Sequence, residues 1–326
     1  MIELRDYAAP ALLDPQRPLV VLSHGMGQDS SALHGLLTDP KRPDLRKRYV
    51  GDAQLLVIHA DTGAEYEATV AHREWVCAYT RQSGDIYFQV DRHLGFHGGA
   101  WKDGLHGQWD AHGTIGSVAF GSSCSDQLKI TPIWRAINAL LAASYDVDPA
   151  GRGGIKEHHR RFNRRIVCHI GFSRGEERRV RAPQAQCAME LFKLPKKRRE
   201  EPLWFTDNVM RQYPLIDVGF DRAQAQAYLR SRNHPVCRPS LCRTCHWQDE
   251  AAVLHLARTD PATFAYWVGA ETRKRTGKPG TGRNYGVKGV LTLPQFLDRA
   301  TRMLGHLTTD QLFERVMNHS KVQSQA

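Results

Sequence analysis

A glycine-containing loop is the first stretch of this sequence that could do chemistry. It reads Leu22-Ser23-His24-Gly25-Met26-Gly27-Gln28-Asp29-Ser30-Ser31 and joins an apolar run to a helical pattern. Gly25 and Gly27 permit positive φ angles and close approach of the backbone to a ligand. A helix that begins here would present unpaired N–H groups and a partial positive charge. The loop therefore favours an anion, and a phosphate in particular.

Two common phosphate-binding motifs do not match this loop. It lacks the G-K-[ST] ending of P-loop NTPases, and Ser30 stands where the last glycine of the dinucleotide-binding G-x-G-x-x-G pattern belongs. A glycine-containing turn between a strand and a helix, with no ligand, is the alternative interpretation.

Three cysteines form a second group that could do chemistry. Cys237, Cys242 and Cys245 lie within nine residues. The C-x-x-C spacing lets two thiolates reach one metal from a tight turn, and His246 would complete a zinc site of the Cys₃His kind. Small, buried, reduced cysteines without a metal, or a redox switch, are the alternatives.

The composition bounds the class of protein. With 326 residues, 41% of them hydrophobic, the chain can bury a substantial core. No apolar run reaches the roughly 18 residues needed to span a membrane, and the first residues lack the order of a signal peptide. These features predict a soluble, cytoplasmic protein.

Positive charge is concentrated in the middle of the sequence. The formal net charge is +11, and residues 151–200 hold 15 Lys and Arg against 5 Asp and Glu. Such a segment favours nucleic acid as a partner, because clustered cations displace condensed counterions from phosphates. A solvated basic surface is the alternative.

The order of predicted elements indicates an α/β fold. Apolar, β-branched runs at residues 18–22, 54–59, 86–90 and 165–170 predict strands, and amphipathic helical patterns alternate with them. This alternation predicts a doubly wound parallel sheet over residues 1–220, with a mainly helical region that carries the cysteines over residues 221–326.

Several segments together resemble the PP-loop superfamily, and within it the phosphoadenosine phosphosulfate reductase-like branch. The loop matches the variant pattern S-x-G-x-G-x-[DQ]-S-[ST], and the other segments follow in the order of the family over about residues 20–271. They are Ser23, Gly25, Gly27, Asp29, Ser30 and Ser31 in the loop, then Asp61-Thr62-Gly63-Ala64-Glu65, Cys124 to Pro132, Ile170-Gly171 to Arg179, Pro214 to Asp217, and Pro239 to Cys245.

The resemblance implies an enzyme that binds ATP or a related adenine nucleotide with Mg²⁺. The nucleotide-binding residues would be those of the loop together with Asp61 and Gly171. Asp29 and Asp61 would orient the magnesium ion, whereas Lys129 and Arg178 would offset phosphate charge. The implied reaction is cleavage at the α-phosphate, which adenylates an acceptor.

The resemblance also bears on the metal and on the acceptor. It brings Cys124 towards Cys237, Cys242 and Cys245, as in iron–sulfur members, and so implies a 4Fe-4S cluster with zinc as the alternative. A sulfonucleotide reductase needs a nucleophilic cysteine near its C-terminus, and none follows Cys245. Adenylation with sulfur transfer to a nucleic acid, tRNA or DNA, is therefore favoured, and the reductase and a zinc-containing nucleic-acid-binding module are the alternatives.

Overall fold

The computed structural model describes residues 12–119, 123–180, 203–277 and 285–318. Its centre is a five-stranded, all-parallel sheet with the strand order β3-β2-β1-β4-β5. The strands are β1 (Leu19–Ser23), β2 (Gln54–Ala60), β3 (Ile86–Val90), β4 (Ile166–Ile170) and β5 (Val209–Gln212).

Helices account for most of the remaining described elements. They are α1 (Gln28–Thr38), α2 (Pro43–Tyr49), α3 (Glu67–Gln82), α4 (Gly104–His112), α5 (Thr131–Tyr145), α6 (Gly153–Phe162), α7 (Leu203–Asn208), α8 (Pro214–Asp217), α9 (Arg222–Ser231), α10 (Glu250–Thr259), α11 (Pro261–Gly277), α12 (Leu293–Leu304) and α13 (Thr309–Met317). A π-helical turn at Asp126–Ile130 leads into α5.

Successive side chains of a strand point to opposite faces of the sheet. Both faces of this sheet are buried. Val21 on β1 packs in a core cluster with α5, whereas its neighbour Leu22 packs in a second cluster with α1, α2 and α3. All seven residues of β2 are buried. The sheet thus forms a layer between two helical layers, as an apolar parallel sheet requires.

The α/β class and the four predicted strands are confirmed, with ends that differ by no more than one residue from the sequence prediction. Strand β5, which pairs in parallel with β4, was not predicted from the sequence. Its residues Val209, Met210, Arg211 and Gln212 lack an apolar run, and it lies at the edge of the sheet, where burial is weaker.

The part of the chain after residue 220 is mainly helical in the described residues, as predicted. Its core is shared with earlier segments: Trp267 on α11 packs in one cluster with Trp109 on α4 and Leu128. A second cluster joins α10, α12 and α13. The boundary at residues 220 and 221 stays a prediction. Within the described ranges, no helix is both long and apolar enough to cross a membrane.

Candidate functional site

The predicted phosphate loop lies at the carboxyl edge of the sheet. Strand β1 is central and ends at Ser23, with β2 on one side and β4 on the other. The chain continues from β1 to β2 and β3 on one side and then crosses to β4, so the sheet order reverses at β1 and β4. Ligands of open parallel sheets bind in the crevice at such a reversal.

The backbone of the loop differs in one respect from the sequence expectation. Positive φ occurs at Met26 (φ 55°), whereas neither Gly25 nor Gly27 has a positive φ. The glycines serve close packing instead, since a Cβ on Gly27 would lie 2.8 Å from the backbone nitrogen of Ser240. The cysteine-bearing segment therefore runs along the loop, a contact that the sequence did not predict.

The N-terminus of α1 has no side-chain cap. Gly27 is the N-cap residue, and the hydroxyls of Ser30 and Ser31 donate back to its carbonyl at 2.9 and 3.0 Å. The first turn of α1 thus keeps the partial positive charge of uncapped amides. An anion at this position would complete the hydrogen bonding of the turn.

Gly171, after β4, meets the same helix end. A Cβ at this position would lie 2.8 Å from both the Cα and the nitrogen of Ser30. Only glycine allows the backbone after β4 to pass this close to α1. Gly171 and the loop residues, which were predicted together as nucleotide-binding residues, therefore lie together in the fold.

A charged network, Asp29–Arg222–Glu176–Arg179, borders the helix end. Arg222 Nη2 lies 2.7 Å from Asp29 Oδ2 and 3.5 Å from Glu176 Oε1, and Arg179 lies 2.7 Å from Glu176. Burial raises the pKa of Asp29, and the Arg222 guanidinium opposes this shift. Arg178, predicted as the cation of this segment, is exposed.

Asp61 and its neighbours form a second polar group after β2. Asp61 Oδ1 accepts the Gly63 N–H at 2.9 Å, and Arg92 lies 3.7 Å from its other oxygen. Glu65 accepts the Thr62 hydroxyl at 2.6 Å. Burial and the adjacent Glu65 carboxylate raise the pKa of Asp61.

Lys129 lies beside this second group. Burial alone would lower the pKa of its ammonium, but the Cys242 sulfur and the Glu65 carboxylate raise it above the ordinary value. The same ammonium contributes to the low pKa of Glu65, after the Asp61 hydrogen bond. Lys129 therefore stays charged beside Glu65 and Cys242, and its role in offsetting phosphate charge stays a prediction.

The four predicted metal ligands divide between the two groups. Cys237 Sγ lies 3.7 Å from Ser31 Oγ, beside the loop, whereas Cys242 Sγ lies 3.3 Å from Thr62 Oγ1. Cys124 packs in the same apolar cluster as Cys242, and Cys245 lies close enough to Lys129 to influence its charge. Cys124, Cys242 and Cys245 therefore lie in the region of Lys129, whereas Cys237 lies beside the loop.

Among the residues that the structure describes, no group of three or more His, Cys, Asp and Glu side chains is arranged to hold a metal ion. The 4Fe-4S cluster, with zinc as the alternative, stays a prediction.

Buried histidines form hydrogen bonds with residues of the phosphate loop, an arrangement that was not predicted from the sequence. His72 Nε2 lies 2.7 Å from Ser31 Oγ, and His59 Nδ1 lies 3.0 Å from the His24 carbonyl. Burial lowers the pKa of His59 and of His72 to about 4. These rings are neutral at pH 7 and support the loop as hydrogen-bonding groups. Of these histidines, only His24 lies within a motif that the sequence had singled out, the phosphate loop.

The basic residues within positions 151–200 lie at both edges of the sheet. Residues at the end of α6 and at Arg164 and Arg165 precede β4 and so lie towards its amino end, whereas Arg174 and Arg178 follow β4 at the carboxyl edge. Residues 181–200, which include the Lys196–Arg199 run, lie outside the described residues. A nucleic-acid partner stays a prediction.

No protein-family model matches this chain, and no curated protein matches it in sequence.

Proposed function

We propose that the chain is an adenine-nucleotide-binding enzyme of the PP-loop type, with a doubly wound sheet, that cleaves ATP or a related nucleotide at the α-phosphate. The observation that carries the proposal is the uncapped N-terminus of α1, which follows the central strand at the carboxyl edge and touches the segment after β4. Backbone amides without a side-chain cap and a helix dipole at this position suit a polyphosphate.

The polyphosphate would lie against the first turn of α1. Backbone N–H groups from Gly27 onwards would donate to its β and γ oxygens, while Arg178 and Lys129 would offset its charge. Arg222 and Arg179 pair with Asp29 and Glu176 and so neutralise these two carboxylates. The site thus repels phosphate less than its acidic residues alone would suggest.

Magnesium has a reasonable donor at this site. Asp29 Oδ1 is buried and has no hydrogen-bond partner among the described residues, and Mg²⁺ commonly binds one or two carboxylates together with substrate phosphates. Asp29, and Asp61 from the second group, would therefore hold the ion, which would supply charge neutralisation for the leaving group.

The reaction would be a displacement at the α phosphorus. An acceptor oxygen forms a bond to this phosphorus, the bond from the phosphorus to the oxygen that bridges to the β phosphate breaks, and pyrophosphate leaves with the electron pair. The acceptor is left adenylated. The acceptor that we propose is a nucleic acid, tRNA or DNA. In the sulfur transfer that would follow, a hydrosulfide-level nucleophile from a separate donor forms a bond to the activated carbon, the bond from this carbon to the adenylated oxygen breaks, and AMP leaves with the electron pair.

The test is the conversion of ATP and Mg²⁺ to AMP and pyrophosphate, with ATP binding measured by calorimetry. We expect ATP to bind, AMP to form with an acceptor from a panel of tRNA, DNA and small metabolites, and Asp29→Ala and Lys129→Ala to lower the rate at least about tenfold. Lys156→Ala, an exposed lysine on α6, is the matched control. Oligonucleotide binding with a steep salt dependence, without ATP binding, would contradict the proposal and favour a nucleic-acid-binding module.

A further inference from the structure

A cavity of about 430 Å³ lies in the C-terminal part of the chain, and no residue of the phosphate loop lines it. It opens where the start of α10, the residues before α12 and the first turns of α12 meet. This volume is within the usual range for small-molecule sites.

The walls of the cavity carry charges of both signs. Asp249 and Glu250 are the acidic lining residues, and Lys288 and Arg299 are the basic ones. Glu250 pairs with Arg299, while the Lys288 ammonium donates to the His246 carbonyl at 2.7 Å. A ligand with only negative charge would be repelled by the two acidic residues, and a ligand with only positive charge would be repelled by the two basic residues. A zwitterion would be attracted to both.

Gln248 supplies an unsatisfied acceptor in the wall. Its side chain is 2% exposed, and Nε2 donates to the Tyr66 hydroxyl and to the carbonyls of Cys242 and Arg243, at 3.1, 3.0 and 2.6 Å. Its Oε1 is buried and has no hydrogen-bond partner within the described chain. An unpaired buried carbonyl is unfavourable, so Gln248 marks a part of the wall in which the polar groups are incompletely satisfied.

The apolar part of the lining combines aromatic surface from Trp247 and Phe296 with aliphatic surface. Lys288 Nζ and the Arg299 guanidinium lie 4.7 and 4.6 Å from the centre of the Phe296 ring, so these cations already cover that ring. Val118 and Leu291 add branched aliphatic surface.

We propose that this cavity binds a free α-amino acid with an apolar side chain. The ammonium group would bind Asp249, the carboxylate would bind Arg299 and Lys288, and the side chain would contact the apolar part of the wall. The proposal does not depend on the nucleotide site and can hold if that site binds no nucleotide.

The ligand side of the proposal is tested by calorimetry on the full chain with L-leucine, L-methionine and L-phenylalanine. At least one should bind, and N-acetyl-L-leucine and L-leucine methyl ester, which each lack one charge, should bind at least about tenfold more weakly than L-leucine. Binding of adenosine in place of the amino acids, equal binding of the derivatives, or no binding by any of the three amino acids would overturn the proposal.

The protein side is tested with charge-removing variants whose folding is checked by circular dichroism. Asp249 caps α10 by accepting the Ala252 N–H at 2.8 Å, and an asparagine can keep that cap, so Asp249→Asn removes mainly the charge. Asp249→Asn and Arg299→Gln should each weaken binding of the best amino acid at least about tenfold. Arg302→Gln, exposed on the same helix as Arg299, should leave it unchanged. Equal affinity in Asp249→Asn and Arg302→Gln would overturn the assignment, and the ligand derivatives decide the question if Arg299→Gln does not fold.

Discussion

Arg222 Nη2 lies 2.7 Å from Asp29 Oδ2, although 193 positions separate the two residues in the chain. The ion pair connects the first residue of α9 to the first turn of α1, beside the predicted phosphate loop. Both side chains are largely buried, at 16% and 13% exposure. The C-terminal part of the chain is therefore anchored directly at the candidate site.

We expect Arg222→Met to lower the free energy of unfolding by about 3 kcal/mol, because it leaves the Asp29 carboxylate buried without its cation. Urea denaturation at pH 7 measures the change. Asp29→Asn combined with Arg222→Met should cost less than the sum of the two single changes, since neither charge is then left alone.

Arg174→Met is the matched control for this pair. Arg174 also pairs with an aspartate, Asp221 at 3.0 Å, but both side chains are exposed. Exposed pairs contribute little, so its urea midpoint should stay close to that of the native chain. Similar losses in Arg174→Met and Arg222→Met would show that the buried pair has no special weight.

The buried histidines predict a loss of stability in mild acid. Burial lowers the pKa of His34 to about 3, and that of His59 and His72 to about 4. The unfolded chain takes up protons below about pH 6.5 while the folded chain does not. The stability that these groups contribute is therefore complete above pH 6.5 and is lost as the pH falls towards 4, by up to about 1.4 kcal/mol per histidine for each pH unit.

His72→Gln tests this explanation, because glutamine can still hydrogen-bond to Ser31 but does not titrate. Urea denaturation at pH 7.5 and pH 5.5 should show a smaller difference for this variant than for the native chain. His93→Gln, at an exposed position, should keep the native difference. An unchanged pH dependence in His72→Gln would rule out His72 as a contributor.

Local sequence patterns predicted the elements but not the contacts between distant segments. The β1 and β2 runs are short and largely apolar, so their strand assignment followed from composition and length. The Arg222–Asp29 ion pair could not be predicted, because a polar residue at a helix start is common and the two partners lie far apart in the sequence. The cysteines were grouped by their spacing. The spacing did not predict that Cys237 would contact the phosphate loop while Cys242 contacts the segment after β2.

Gly27→Ala should destabilise the fold by about 1–3 kcal/mol, because the new Cβ would lie 2.8 Å from the Ser240 nitrogen and a backbone segment must move. Thermal unfolding monitored by circular dichroism measures this change. Gly269→Ala is the control: it lies inside α11, where the nearest atom would be 3.6 Å away on the flexible Arg273 side chain. Alanine favours a helix interior, so this control should gain about 0.5–1 kcal/mol. A loss in both variants would contradict the packing argument.

The buried carboxylate of Glu271 is expected to hold in place the chain segment that leads into α12. This carboxylate is 2% exposed and accepts the N–H groups of Val287 and Leu293, both at 2.7 Å. Glu271→Gln replaces one acceptor oxygen by an NH₂ group that faces a donor, which should cost about 1–3 kcal/mol. Urea denaturation measures the loss, and hydrogen exchange should accelerate at the Val287 or Leu293 amide. Glu314→Gln, an exposed change of the same chemistry on α13, should change neither quantity. Native exchange rates at both amides in Glu271→Gln would mean that the carboxylate does not hold this segment in place.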